Sequence, residues 1–169
     1  MTHPDPVPVT VTFTKELTPR ARRITFKGMT VVESVKPASY LSLYFEDPQN
    51  DQPSEPDSPR RNERSYTPRY LDPECHSMTV DFVLHGSGRA AEWAHTAKAG
   101  DTIWASPTTG GYDIPDDVHH LVLAGDDTAI PAIGTILEAI PRDTRTTVII
   151  EVVNDDDERE PSDDVPSDP

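Results

Sequence analysis

The run Arg64-Ser65-Tyr66-Thr67-Pro68-Arg69 places two cations, a phenol and two hydroxyls within six residues. On an extended chain Arg64 and Tyr66 share one face, while Thr67 and Arg69 share the other. A guanidinium bonds a phosphate bidentately. A tyrosine ring lies against a flat heterocycle, and a threonine hydroxyl bonds the edge of such a ring. Arg-x-Tyr-Thr therefore suits a flavin with its pyrophosphate nearby. For the tetrapeptide alone, an ordinary surface strand is the commoner explanation.

The run Asp81-Phe82-Val83-Leu84-His85-Gly86-Ser87-Gly88-Arg89-Ala90-Ala91-Glu92-Trp93 reads as a strand, a glycine turn and a helix. A helix N-terminus offers free N–H groups and a favourable dipole to a phosphate. The glycines admit a large anion to the backbone, and Ala90 and Ala91 are small enough for close contact. Trp93 can stack on an adenine or flavin ring, though a single tryptophan is more often core. His85 can bond a cofactor or serve as a satisfied structural histidine. A further turn, Ala124-Gly125-Asp126-Asp127-Thr128-Ala129-Ile130-Pro131, lies where a parallel strand should end, the usual ligand edge of an α/β sheet. It lacks the G-x-G-x-x-G fingerprint, and an Asp or Thr helix cap explains it as well. His119 and His120 are adjacent, so on a strand they face opposite ways and make a poor metal pair. No serine elbow, cysteine-centred nucleophile or calcium-loop spacing is present.

These groups need a scaffold. Val7 to Phe13 alternates, with Val7, Val9, Val11 and Phe13 expected on one face. Arg22 to Lys27, Tyr40 to Phe45, Met78 to Leu84 and Asp101 to Ser106 are further strand candidates. Short strands with little helix point to an antiparallel barrel or sandwich. Arg89 to Ala97 interrupts them as a helix that ends before Gly100. From about residue 120 the pattern changes. Leu121-Val122-Leu123-Ala124 reads as a buried parallel strand. Ala129 to Ile140 reads as a helix with Pro131 in its first turn, and Thr146 to Val153 as the next strand.

The 169 residues carry a formal charge of −15, with 34% hydrophobic residues and 18 prolines. The charge is concentrated. Residues 154–169 hold eight acids against one arginine, and residues 46–57 hold five acids and no base. The first segment is expected to be a disordered tail and the second part of a solvated loop. The remainder carries only −3, and residues 1–45 contain six bases against three acids. This locally basic face suits an anionic ligand or, more blandly, is ordinary surface arginine. The overall acidity argues against nucleic acid as a partner and against a polybasic membrane contact. Cys75 is the single cysteine, so no intrachain disulfide framework forms. No apolar run is long enough to span a membrane, and no signal peptide is visible, which makes the cytoplasm the default location.

Taken in order, these segments resemble the siderophore-interacting proteins, flavin-dependent ferric-siderophore reductases related to the ferredoxin-reductase superfamily. The resemblance begins at Leu17-Thr18-Pro19-Arg20-Ala21-Arg22-Arg23-Ile24. It continues through the Arg64, Asp81 and Ala90-Ala91-Glu92-Trp93-Ala94 motifs, Ala99-Gly100-Asp101 and Gly125-Asp126-Asp127-Thr128-Ala129-Ile130-Pro131, to Ile136-Leu137-Glu138. It covers about residues 7–153. Arg89 stands where the family usually has proline, and Asp127 where it usually has glutamate.

The resemblance implies an antiparallel FAD-binding β-barrel over residues 1–117, with an acidic Pro-rich loop at 46–63. It implies the start of a parallel α/β nucleotide-binding domain at 118–153, followed by the acidic tail at 154–169. It implies FAD contacts from Arg64, Tyr66, Thr67, Asp81, Val83 and His85, from Gly88, Ala90, Ala91 and Trp93, and from Asp127 and Thr128. The implied activity is reduction of a ferric siderophore to release Fe(II), with NAD(P)H or a ferredoxin as electron donor and no side-chain nucleophile or base. The family's second domain continues through more strands and helices, so an incomplete nicotinamide site is also expected. The alternative is a flavin-binding module that carries FAD or depends on a protein electron donor.

Overall fold

The computed structural model describes residues 5–30, 35–46, 62–86, 88–115 and 117–161. Most of the expected loop at 46–63 lies outside the described residues. Seven strands form one antiparallel sheet: β1 (Val7–Thr18), β2 (Ala21–Lys27), β3 (Leu41–Tyr44), β4 (Glu63–Tyr66), β5 (Pro68–Asp72), β6 (Ser77–Val83) and β7 (Thr102–Ala105). Their order is β4-β3-β7-β1-β2-β6-β5. The two outermost strands, β4 and β5, are therefore consecutive in the chain and joined by Thr67 alone. One residue spans only about 3.5 Å, so the sheet must curl until its edges come together. The strand pattern predicts an antiparallel barrel or sandwich, and this connection makes the sheet a curled half-barrel.

The interior is apolar. Val9, Val11, Ile24, Phe26, Leu41, Leu43, Met78, Val80 and Phe82 fill it. The alternation in β1 holds for Val9 and Val11 but fails at Phe13, which is 58% exposed. A register irregularity between Val11 and Phe13 is the reason. An extra residue in one strand turns the following side chains to the opposite face.

Helix α1 (Arg89–Thr96) packs on this barrel through Ala90 and Ala94. Its last turn is held by Arg22, whose Nη1 donates to Ala94 O and His95 O, each at 2.7 Å. A cation at a helix C-terminus satisfies free carbonyls and complements the dipole. After β7 the chain forms β8 (His120–Asp126), a 3-10 turn (Asp127–Ala129), α2 (Ile130–Ala139) and β9 (Arg145–Glu151). Strands β8 and β9 are parallel and in register from His120↔Arg145 to Asp126↔Glu151. This is the expected β-α-β unit. The expectation that Leu121–Ala124 is buried throughout is corrected. Val122 is 57% exposed, and Ile149 on the adjoining strand is 58% exposed. Helix α2 covers one face of this pair, and no described element covers the other.

A second correction concerns residues 154–169. The expected disorder does not hold for 154–161. Asp155–Asp157 forms a 3-10 turn, and Asp157 is only 3% exposed. Its carboxylate accepts from Thr18 Oγ1 at 3.3 Å and from Asn154 Nδ2 at 3.2 Å, with Arg20 Nε at 3.9 Å. Acidic composition predicts a solvated chain, but barrel arginines remote in sequence supply partners for it. Residues 162–169 lie outside the described residues.

Candidate functional site

The barrel seam, the glycine turn and the start of α2 border one cavity of about 370 Å³. That volume falls in the range of small-molecule sites. Arg64, Tyr66 and Thr67 line it from β4 and the seam, and Asp81, Val83 and His85 from β6 and the residues after it. Gly88, Ala90 and Ala91 close it at the start of α1, and Thr128 borders it from the turn after β8. Tyr40, Ser65 and Pro131 join them although sequence reasoning did not assign them. Ser65 and Pro131 sit inside quoted motifs. Tyr40 heads a strand candidate, and only its bridge to Thr109 reveals its place.

Two expected residues are not brought there. Trp93 packs instead among Phe26, Phe45 and Phe82, with ring centroids 5.5–6.1 Å away. This is the core role open to a lone tryptophan. Asp127 does not border the cavity, although its neighbour Thr128 does.

Each wall has a chemical character. The Tyr66 ring rests on Phe82 at 4.7 Å, which fixes its plane. Burial pushes its phenol up to about 12, against the opposing pull of Arg64. Tyr66 therefore presents a neutral ring across the ordinary pH range. Arg64 is exposed at the rim, with Nη1 donating to Glu63 O at 2.7 Å. Gly88 is the N-cap of α1 and supplies no side-chain cap to the free N–H groups of its first turn. Gly86, at φ +67°, makes the turn that leads to them.

At the α2 end, Thr128 donates from N at 3.0 Å and from Oγ1 at 2.5 Å to Asp126 Oδ1. The Thr128 hydroxyl bond is the main cause that lowers the Asp126 carboxyl below its usual range. Asp81 lies on the inner wall, 4% exposed, paired with Arg23 and Arg159. Among the described residues no cluster of three or more His, Cys, Asp or Glu is placed to hold a metal ion. His120 Nε2 lies 3.1 Å from Thr147 Oγ1.

The donor set is an aromatic plate beside an aliphatic wall, a rim guanidinium and a helix N-terminus opened by glycine. It fits a ligand with a flat ring and a phosphate group, which FAD has.

A curled antiparallel barrel with a small parallel sheet, the cavity lying at the barrel seam, is a ferredoxin-reductase-like fold. Within it, the description "Siderophore-interacting FAD-binding domain" matches residues 10–109, and "Siderophore-interacting protein" matches residues 118–166. The chain belongs to the siderophore-interacting FAD-binding family, and its cofactor is FAD.

The chain is 37% identical over 166 residues to the uncharacterized protein Rv2895c of Mycobacterium tuberculosis, covering 88% of this chain and 58% of that one. It is 32% identical over 87 residues to the NADPH-dependent ferric-chelate reductase of Escherichia coli, covering 52% of this chain and 34% of the reductase. The crystal structure of a siderophore utilization protein from T. fusca superimposes with a TM-score of 0.75 at 29% identity, covering 92% of this chain and 64% of that one. The chain thus spans less than two thirds of the length of these relatives. No helix among the described residues is long and apolar enough to cross a membrane.

Proposed function

We propose that the protein is a flavin-dependent oxidoreductase that reduces a ferric siderophore and so releases Fe(II). The observation that carries this reading is the single cavity that gathers the Arg-x-Tyr-Thr seam, the β6 end and the open N-terminus of α1. We assign residues 1–117 to the flavin-binding unit and residues 118–153 to part of a nicotinamide-binding unit.

In this reading Tyr66 and Thr67 hold the flavin ring, and Phe82 keeps the tyrosine in plane. Arg64 and the first-turn N–H groups after Gly88 take the pyrophosphate. Ala90 and Ala91 leave room for it, with Val83 and His85 on the wall between and Thr128 at the far end. Trp93 supports the wall from inside the core. Bound FAD supplies the chemistry that couples a two-electron donor to single-electron reduction of iron. The protein contributes position, charge and exclusion of water, with no nucleophile. Iron leaves because Fe(III) is held much more tightly than Fe(II) by the hard oxygen ligands of a siderophore. The basic residues of the N-terminal third attract an anionic ferric chelate. The name of the E. coli relative supports both the ferric substrate and NADPH as donor.

The test is anaerobic. FAD-loaded protein is reduced chemically and mixed with a ferric chelate, and Fe(II) is trapped by a chromogenic chelator. Rapid Fe(II) formation is expected, and none would refute the reading. The alternative reading is a flavin module that takes its electrons from a protein donor. Mixing with NADPH separates the two, since fast bleaching of the flavin absorbance excludes the second.

A further inference from the structure

Asp81, which borders the cavity, belongs to a charge cluster that no motif announced. Asp81 Oδ1 accepts from Arg23 Nε at 2.7 Å, and Oδ2 accepts from Arg23 Nη2 at 3.0 Å and from Arg159 Nη1 at 2.6 Å. The three side chains are 0%, 6% and 11% exposed for Asp81, Arg23 and Arg159. Two guanidiniums thus converge on one carboxylate in a place that water reaches poorly. Arg159 Nη2 is itself buried and has no hydrogen-bond partner.

Arg159 is not a surface side chain that met an acid by chance. It arrives on a segment pinned on both sides. Two residues before it, Asp157 is buried against Thr18 and Arg20. Two residues after it, the buried Pro161 accepts from Arg69 Nη2 at 3.0 Å. Its freedom is spent before the pair forms. Exposed ion pairs on free side chains contribute little, whereas a desolvated, pre-positioned pair acts strongly on its surroundings.

We infer that Arg159 is a positioning residue of the flavin site: with Arg23 it fixes the Asp81 carboxylate in the cavity wall and sets its own positive charge behind it. This rests on the reading of the cavity as the FAD site. FAD is anionic through its pyrophosphate and gains electrons on reduction, so positive charge beside it favours both binding and the reduced form.

The experiment uses the full chain as wild type, Arg159→Gln and Arg159→Lys. FAD affinity is read from flavin fluorescence, and the midpoint potential of the bound flavin from dye equilibration. Arg159→Gln is expected to weaken FAD by on the order of tenfold, the scale of one lost charged hydrogen bond. It is also expected to move the potential to more negative values. Arg159→Lys keeps the charge without the planar fork, so it should restore the potential while recovering only part of the affinity. Unchanged affinity and potential in Arg159→Gln, or a fall in thermal stability alone, would overturn the inference. So would a potential that Arg159→Lys fails to restore. If Arg159→Gln does not fold, Arg159→Lys decides, because affinity equal to wild type overturns the inference and weakened affinity at wild-type potential supports it. Wild-type protein that binds no FAD would overturn the flavin reading itself, which separates that failure from this one.

Discussion

Gly134→Ala sets two effects of opposite sign against each other. Gly134 lies inside α2, where alanine is favoured over glycine by about 1 kcal/mol. On propensity alone the variant would be more stable. A Cβ at this position, however, would stand 2.6 Å from Pro161 O, 2.9 Å from Arg69 Nε and 3.1 Å from Arg69 Cζ. None of these neighbours yields easily. Pro161 O is backbone, and the Arg69 side chain is 1% exposed and held by Glu138 Oε1 at 2.7 Å. Overpacking a filled site costs about 1–3 kcal/mol, and loss of the Arg69–Pro161 bond adds about 1.5–3 kcal/mol. The clash wins, leaving a net loss of roughly 1.5–5 kcal/mol after the helix gain is subtracted. For a chain of this size that lowers Tm by roughly 3–20 °C. Thermal unfolding followed by circular dichroism measures it. Hydrogen exchange over residues 154–161 should rise at the same time, because relief comes most easily by lifting the segment off α2. A higher Tm with unchanged exchange would mean that helix propensity decides and that Pro161 does not press on Gly134.

Arg64→Ala should weaken FAD binding by on the order of tenfold or more, read by fluorescence titration, with little change in Tm because the side chain is exposed. Tyr66 is raised to about 12, above its ordinary 10.0, so its stabilising share is complete below about pH 10 and is lost as pH rises through 12. Tyr66→Phe should therefore lose less stability than wild type over that alkaline window, as followed by unfolding midpoints. Tyr70 is also raised by burial, so some alkaline sensitivity remains in the variant. Thr128→Ala removes the main bond that lowers Asp126, so its carboxyl should return toward 3.8 in an NMR titration. Because the lowered value favours the folded state above the ordinary carboxyl range, wild type should hold an advantage over the variant that fades as pH falls through that range.

What the sequence disclosed depended on how local the signal was. The strand–glycine–helix run needs only its own residues, so His85, Gly88, Ala90 and Ala91 were legible and border one cavity. The seam motif was legible as chemistry, but its place was not. Only the strand order shows that Thr67 joins the two sheet edges. Trp93 was ambiguous because stacking on a ligand and stacking on Phe26 demand the same side chain. Phe13 was misplaced because a bulge leaves no mark in an alternating pattern. Residues 154–161 were misread for a deeper reason. Composition counts charges without their partners, and the partners of Asp157, Arg159 and Pro161 lie some 80 to 140 residues away in the chain.

Titration of the purified, flavin-free chain with FAD decides whether the seam cavity is the cofactor site. One FAD per chain should bind, its fluorescence quenched against Tyr66, and Arg64→Ala should shift the curve to higher concentration. No binding, or binding that Arg64→Ala and Tyr66→Ala both leave unaltered, would contradict the assignment of this cavity.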